Sequence, residues 1–209
     1  LYRAIGRDGI SRFGYASSKN GITFDERLPD PAYTVSPPRA AGAPAAPRYA
    51  PMLYASGGSW GGCEDARLVC IEGRVYLMFY AFDEQDIIRV AVASIAPDDF
   101  IAHRFDRWSP PTFLSPPHQI HKNWVLFPEK INGKFAILHS IIGDDENHVR
   151  VEYTDDLATL SGRNFLSPDP QKVPDMPVAW HIHAHGAGPP PIKTDAGWLV
   201  LYHAHDAAE

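Results

Sequence analysis

The chain has 209 residues, 44% of them hydrophobic and 21% charged, with a formal net charge of −6. That is the make-up of a globular chain long enough for one good core. It excludes a basic nucleic-acid face, and no run is long and apolar enough for a membrane-spanning helix.

Twenty prolines and sixteen glycines argue against long helices, and short runs rich in Val, Ile, Phe and Tyr predict strands. The opening LYRA and SRFGYASSKNGITFDER (11–27) read as strands around a Ser/Asn turn. GGCEDARLVC (61–70) places Glu64, Asp65 and Arg67 at the mouth of a strand, and RVYLMFYAF (74–82) follows an EG turn. IIRVAVASIAPDDFIAHR (87–104) reads as a third and fourth strand. VLFPEKI, an NG turn and KFAILHSI (134–141) come next, then HVRVEYTDDLATLSGRNF (148–165). HIHAH, GAGPPPIK, a DAG turn and GWLVLYHAH (197–205) close the series. Cys63 and Cys70 cannot form a metal knuckle at their spacing, and a disulfide between them is open but not required.

The text repeats. The second-strand runs start at 74, 134 and 197, and the motifs before them at Cys63, Val125 and Gly186. A recurring four-stranded unit of about 60 residues is the mark of a β-propeller blade; a sandwich predicts no common period. The expected fold is therefore all-β, one partial propeller domain over 1–209, with blade boundaries near 28–60, 105–124 and 166–185. About three blades' worth of strands are present, while propellers close with about 4 to 8, so the chain reads as a fragment of a longer protein.

The first strand of a blade lines the central channel, so the residues at its start become candidate ligands. These are Glu64, Asp65 and Arg67, then Glu129 and Lys130, then His181, His183 and His185. Asp83, Glu84 and Arg89 follow the second strand of one unit, and His139 and His203 are read as matching positions in two others. In a regular strand Asp65 and Glu64 face opposite ways, so one of them faces the channel. A buried acid–arginine pair can also simply close an interface. The three alternating histidines have metal-like spacing but no accompanying carboxylate or cysteine, so no metal is assigned. Trp60, Trp124, Trp180, Tyr54 and Phe127 either stack on sugar rings or fill the core. Residues alone lead to a carbohydrate-active or carbohydrate-binding propeller.

GCEDAR (62–67), LFPEKINGKFAILH (126–139) and GAGPPPIKTDAGWLVLYH (186–203) resemble glycoside hydrolase family 130. The resemblance implies a five-bladed propeller acting on β-mannosides, either as an inverting phosphorylase that releases mannose 1-phosphate or as an inverting β-mannosidase. A non-catalytic carbohydrate-binding relative is the third reading. By resemblance Asp65 is the general acid, and Arg89, Lys130 and His203 bind phosphate. Glu64, Arg67, Trp124, Glu129 and His185 are expected at the sugar. The partners implied are a β-mannoside oligosaccharide and inorganic phosphate as co-substrate, with no other cofactor. Self-association is open, and a cytoplasmic location suits a phosphorylase. Two departures stand out: Ala66 replaces the family's proline after the acid, and HSI (139–141) stands where many phosphorylases read HRP. If water is the nucleophile, the carboxylates Asp144, Asp145 and Glu146 become candidate bases.

Overall fold

The computed structural model describes residues 1–35, 59–82, 88–117, 119, 121–141, 149–163 and 183–205, with the backbone alone at 141, 183–185 and 205. The expected positions Tyr54, Asp83, Glu84, Asp144, Asp145, Glu146, Trp180 and His181 lie outside the described residues. The chain is mostly β, with few and short helices. The first unit holds β1 (Tyr2–Ile5), β2 (Ile10–Gly14), β3 (Ala16–Ser17) and β4 (Glu26–Arg27). The second holds β5 (Gly61–Ile71), β6 (Arg74–Phe82), β7 (Ile88–Ile95), a short helix α1 (Pro97–Ile101) and β8 (Thr112–Phe113). The third holds β9 (His121–Leu126), β10 (Phe135–Ile141) and β11 (Val149–Thr154). The fourth holds β12 (His183–Ala187), β13 (Ile192–Thr194), β14 (Gly197–Leu199) and β15 (Tyr202–His205).

Within each unit neighbouring strands run antiparallel. One parallel contact, Ile10 with Gly61 and Ser11 with Gly62, joins the first two units into a single sheet. It needs glycine: Gly62 has φ +99, and a Cβ there would lie 2.0 Å from the Ser11 carbonyl oxygen. Among the described residues no closed sheet forms, and no helix is long and apolar enough to cross a membrane.

Strand alternation sorts the apolar residues into three cores, each lying between successive units. Phe13 and Tyr33 of the first unit meet Cys63, Leu77, Phe79, Ala81, Ala91 and Ala93. The other face of that sheet, including Met78, Tyr80, Val90 and Val92, meets Trp124, Leu126 and Ile137. Val125, Phe127, Ala136 and Leu138, on the opposite side of the third unit, meet Ala187, Trp198 and Val200. The period of two makes each middle sheet apolar on both faces, so the units stack face to face.

Two expected strands are corrected. Residues 97–101 are helical, because Pro97 pre-sets the first turn and Asp98 and Asp99 favour a helix N-terminus. The fourth strand of that unit is β8, inside the 105–124 segment expected to be a boundary. GWLVLYHAH is not continuous: β14 pairs with β13 and β15 with β12. Pro189, Pro190 and Pro191 face the break and supply no N–H to the ladder.

Candidate functional site

The first strands of the second, third and fourth units all carry register irregularities. In the β5–β6 ladder Glu64 pairs with Tyr80 and Arg67 with Met78, leaving Asp65 and Ala66 as a bulge. In the β9–β10 ladder Lys122 pairs with Ser140 and Val125 with Leu138, leaving Asn123 and Trp124. In β12 the register shifts at His185, between Ala184 and Gly186. Asp65 and Asn123 adopt left-handed backbones, φ 57 and 60, a region that Asp and Asn enter more readily than other non-glycine residues.

The bulge separates Asp65 from Glu64. The Glu64 side chain is only 5% exposed and pairs with Arg3 at 3.0 Å, whereas that of Asp65 is 46% exposed. Glu64 therefore pairs with the first unit, not with Arg67, and Asp65 is the acid open to solvent. Arg67 donates through Nη1 to the Asp65 carbonyl at 3.2 Å and through Nε to the Gly188 carbonyl of the fourth unit at 2.9 Å. Its guanidinium lies over the ring of Tyr80, 5.7 Å from the centroid. Tyr80 is buried, which pushes its hydroxyl up to about 12, and that hydroxyl accepts the backbone N–H of Asn123. Asn123 in turn abuts Gly186, where a Cβ would sit 2.4 Å from the asparagine's own Cβ. Groups from the second, third and fourth units thus converge around Asp65 and Arg67.

Other expected residues lie elsewhere. Trp124 is fully buried against His121 and His139, ring centroids 5.4 and 4.9 Å away, so it fills the core and cannot stack on a sugar. Phe127 is likewise buried, edge-on to Trp198, and Trp60 donates to the Asp8 carbonyl. Lys130 pairs at 2.8 Å with Glu72, which also raises the lysine's pKa. Glu72 is at the turn end of β5, seven residues beyond Asp65 and so about 20 Å along the strand. Glu129 pairs with Lys193 of the fourth unit at 2.6 Å. Lys130 and Glu129 therefore join successive units at the end remote from Asp65, correcting their expected places at the phosphate and the sugar. Arg89, by the register Cys63–Ala81–Arg89, lies on the face opposite Glu64 and Tyr80. There it donates twice to the Ser115 carbonyl, at 3.1 and 2.5 Å, and covers Phe113. His203 is exposed opposite Gly186, while His139 is buried, so the two are not equivalent: from the turn residues Lys134 and Gly197, Tyr202 matches His139. The side chain of His185 lies outside the described residues. Cys63 and Cys70 are free thiols.

Sequence reading missed Lys122, Asn123 and Tyr80. Lys122 is half-buried in the strand position matching Glu64, and its ammonium makes no hydrogen bond or ion pair among the described residues. The signal was HKN, upstream of the VLFPEK text where a constant spacing had put the motif's start.

Stacked antiparallel units that bring a carboxylic acid, an arginine and an amide together from their first strands define a mostly-β protein of repeated units with a polar site at their convergence. The family is more specific: a model described as beta-1,4-mannooligosaccharide phosphorylase matches residues 52–209, and the chain belongs to this family, glycoside hydrolase family 130. A 1,2-beta-oligomannan phosphorylase of Thermoanaerobacter sp. (strain X514) is 33% identical over 94% of the chain, and the chain spans 54% of that relative. The fold resembles the beta-1,2-mannobiose phosphorylase of Listeria innocua in complex with beta-1,2-mannobiose, with a TM-score of 0.62 and 22% identity over 95% of this chain and 46% of that one. It also resembles a structure reported under the description of glycoside hydrolases within the GH130 mannoside phosphorylases that target beta-1,2 mannosidic linkages in Candida mannan. The TM-score there is 0.65, with 23% identity over 100% of this chain and 57% of that one. The chain thus spans about half the length of these relatives.

Proposed function

We propose that this chain is the acid-bearing part of an inverting β-mannoside phosphorylase built as a β-propeller. Asp65 is the general acid, and inorganic phosphate is the nucleophile that displaces the leaving sugar and yields mannose 1-phosphate. The observation that carries the reading is the bulge that turns Asp65 outward beside Arg67 where three units meet. A single displacement needs an acid on one side of the glycosidic bond and an incoming nucleophile on the other. Phosphate supplies its own nucleophilic oxygen, so the protein must only hold a dianion, which charge-assisted bonds do well. Lys122 and His203 are the basic groups best placed for that task. The names of the sequence relatives, all mannoside phosphorylases, support the substrate class, while one structural neighbour is described through glycoside hydrolases that target beta-1,2 mannosidic linkages.

Hydrolysis is the second reading, favoured by one observation: Lys130 and Arg89 bind Glu72 and Ser115 rather than space beside Asp65. One experiment separates the two. The complete protein and β-1,2- or β-1,4-mannobiose are incubated with and without phosphate, beside the Asp65→Asn variant. The expected outcome is mannose 1-phosphate formed only with phosphate, and at least about a thousandfold loss in the variant. Free mannose released equally without phosphate would establish the hydrolase, and an active Asp65→Asn protein would remove Asp65 from the acid's role.

A further inference from the structure

Asn123 is the third unit's counterpart of Asp65. Each is the left-handed residue at the bulge of a first strand, following the residue that pairs with Tyr80 or Ser140. The two bulges differ in what they present, an acid in one unit and a carboxamide in the next. We infer that Asn123 is a substrate-contacting residue that binds hydroxyls of the sugar held beside Asp65. This rests on the mannoside reading above.

Three observations carry it. First, Asn123 is only 7% exposed, yet among the described residues its side-chain amide has no hydrogen-bond partner; only its backbone N–H is used, by Tyr80. A nearly buried amide committed to no protein group is available to a ligand, because the bonds it makes to water can be exchanged for bonds to hydroxyls. Neither amide atom is sealed from solvent, so a ligand can reach it. Second, the fourth unit fixes the amide in place: the Gly186 backbone packs directly on the Asn123 side chain, so closely that any Cβ there would collide with it. Third, the amide is tied to the acid through a short chain of contacts. Tyr80 holds the Asn123 backbone, Arg67 covers the Tyr80 ring, and Arg67 holds the Asp65 carbonyl.

The residue type suits a polyol. A carboxamide offers two donors and an acceptor, so it can donate to one hydroxyl and accept from its neighbour. It does this without charge, whereas an aspartate in the same bulge would set a second carboxylate near the acid and oppose an incoming phosphate.

The test uses Asn123→Gly in the complete protein, because glycine keeps the left-handed backbone while the side chain that carries the amide is removed. Phosphorolysis of mannobiose is compared with that of analogues lacking one hydroxyl of the mannose at a time. The expected result is an unchanged thermal midpoint and a kcat/KM lowered about ten- to hundredfold on the parent sugar. One deoxy analogue should be turned over equally by wild type and variant, since the contact it lacks is the one removed. Wild-type kcat/KM in the variant, or a loss shared equally by every analogue, would overturn the assignment. A wild-type protein inert toward every β-mannoside would instead sink the mannoside reading, and this assignment with it.

Discussion

Glu64 and Asp65 are adjacent in the chain and differ in nearly everything else. One is buried against Arg3 and the other is turned to solvent, because the strand bulges between them. The lysines repeat the lesson. Lys130 sits in the recognisable FPEK text but reaches Glu72 at the far end of the strand, and Lys193 does the same with Glu129 one unit later. Lysines at matching places, each pairing with a glutamate of the preceding unit, point to a latch between units. Lys122 lies beside Asn123 with its ammonium uncommitted among the described residues. Steady-state kinetics with phosphate as the varied substrate should therefore separate the two lysines. Lys122→Ala is expected to raise the KM for phosphate by about tenfold or more, the effect of losing a charge-assisted contact. Lys130→Ala should move it by less than about threefold, as for an exposed ion pair. The reverse ranking would return Lys130 to the phosphate site.

At the scale of elements, β9 and β10 hold an unusual core. His121 and His139 are buried on either side of Trp124. Burial lowers His121 to about 4 and His139 to about 3, with Arg150 and His121 adding to the effect on His139. The unfolded chain takes up these protons below about 6.5 and the folded chain does not, so stability is complete above that pH. It falls as the pH drops from about 6.5 toward 4, by up to about 1.4 kcal/mol per pH unit for each ring. Counting from Arg74 and Lys134, position 139 matches Phe79 of the preceding unit. His139→Phe should thus flatten the acid limb of a thermal-midpoint profile, and an unchanged slope would show that this ring is not the group titrating. The elements also mark how much could be read in advance. β6 and β10 were legible because each is a β-rich run directly after a Gly turn. The stop at Ala187 and restart at Ile192 was not, although three prolines announced it, because the partner strand reads as unbroken text. Asp65 could be found by motif; Asn123 could not, because its bulge lies two residues before the point where the period puts the motif. Glu129 and Lys130 misled because sequence shows the residue types of a pair but not which end of a strand they reach.

The described residues form a stack in which three apolar cores hold four units together, and a polar contact also links units that are not adjacent. Arg67 makes such a contact: it starts in the second unit, holds the carbonyl beside the acid and ends on the Gly188 carbonyl of the fourth. The acid's position is thereby set by two units that are not neighbours in the stack. Lysine cannot replace it, because one ammonium lacks the planar fork that reaches two carbonyls at once. Arg67→Lys in the complete protein should lower kcat about tenfold or more, since small misplacements of a reacting group are costly. Stability should fall by about 1 to 3 kcal/mol, the scale of a partly buried hydrogen bond to a charged group. The two effects are separable. Phosphorolysis at saturating substrate reads the first, and denaturant unfolding the second. If Arg67 only fastened the fourth unit, stability would drop while kcat held, and the coupling of the acid to that unit would be refuted. A fall in kcat at full stability would show instead that the guanidinium acts on the substrate directly, rather than by tying the second unit to the fourth.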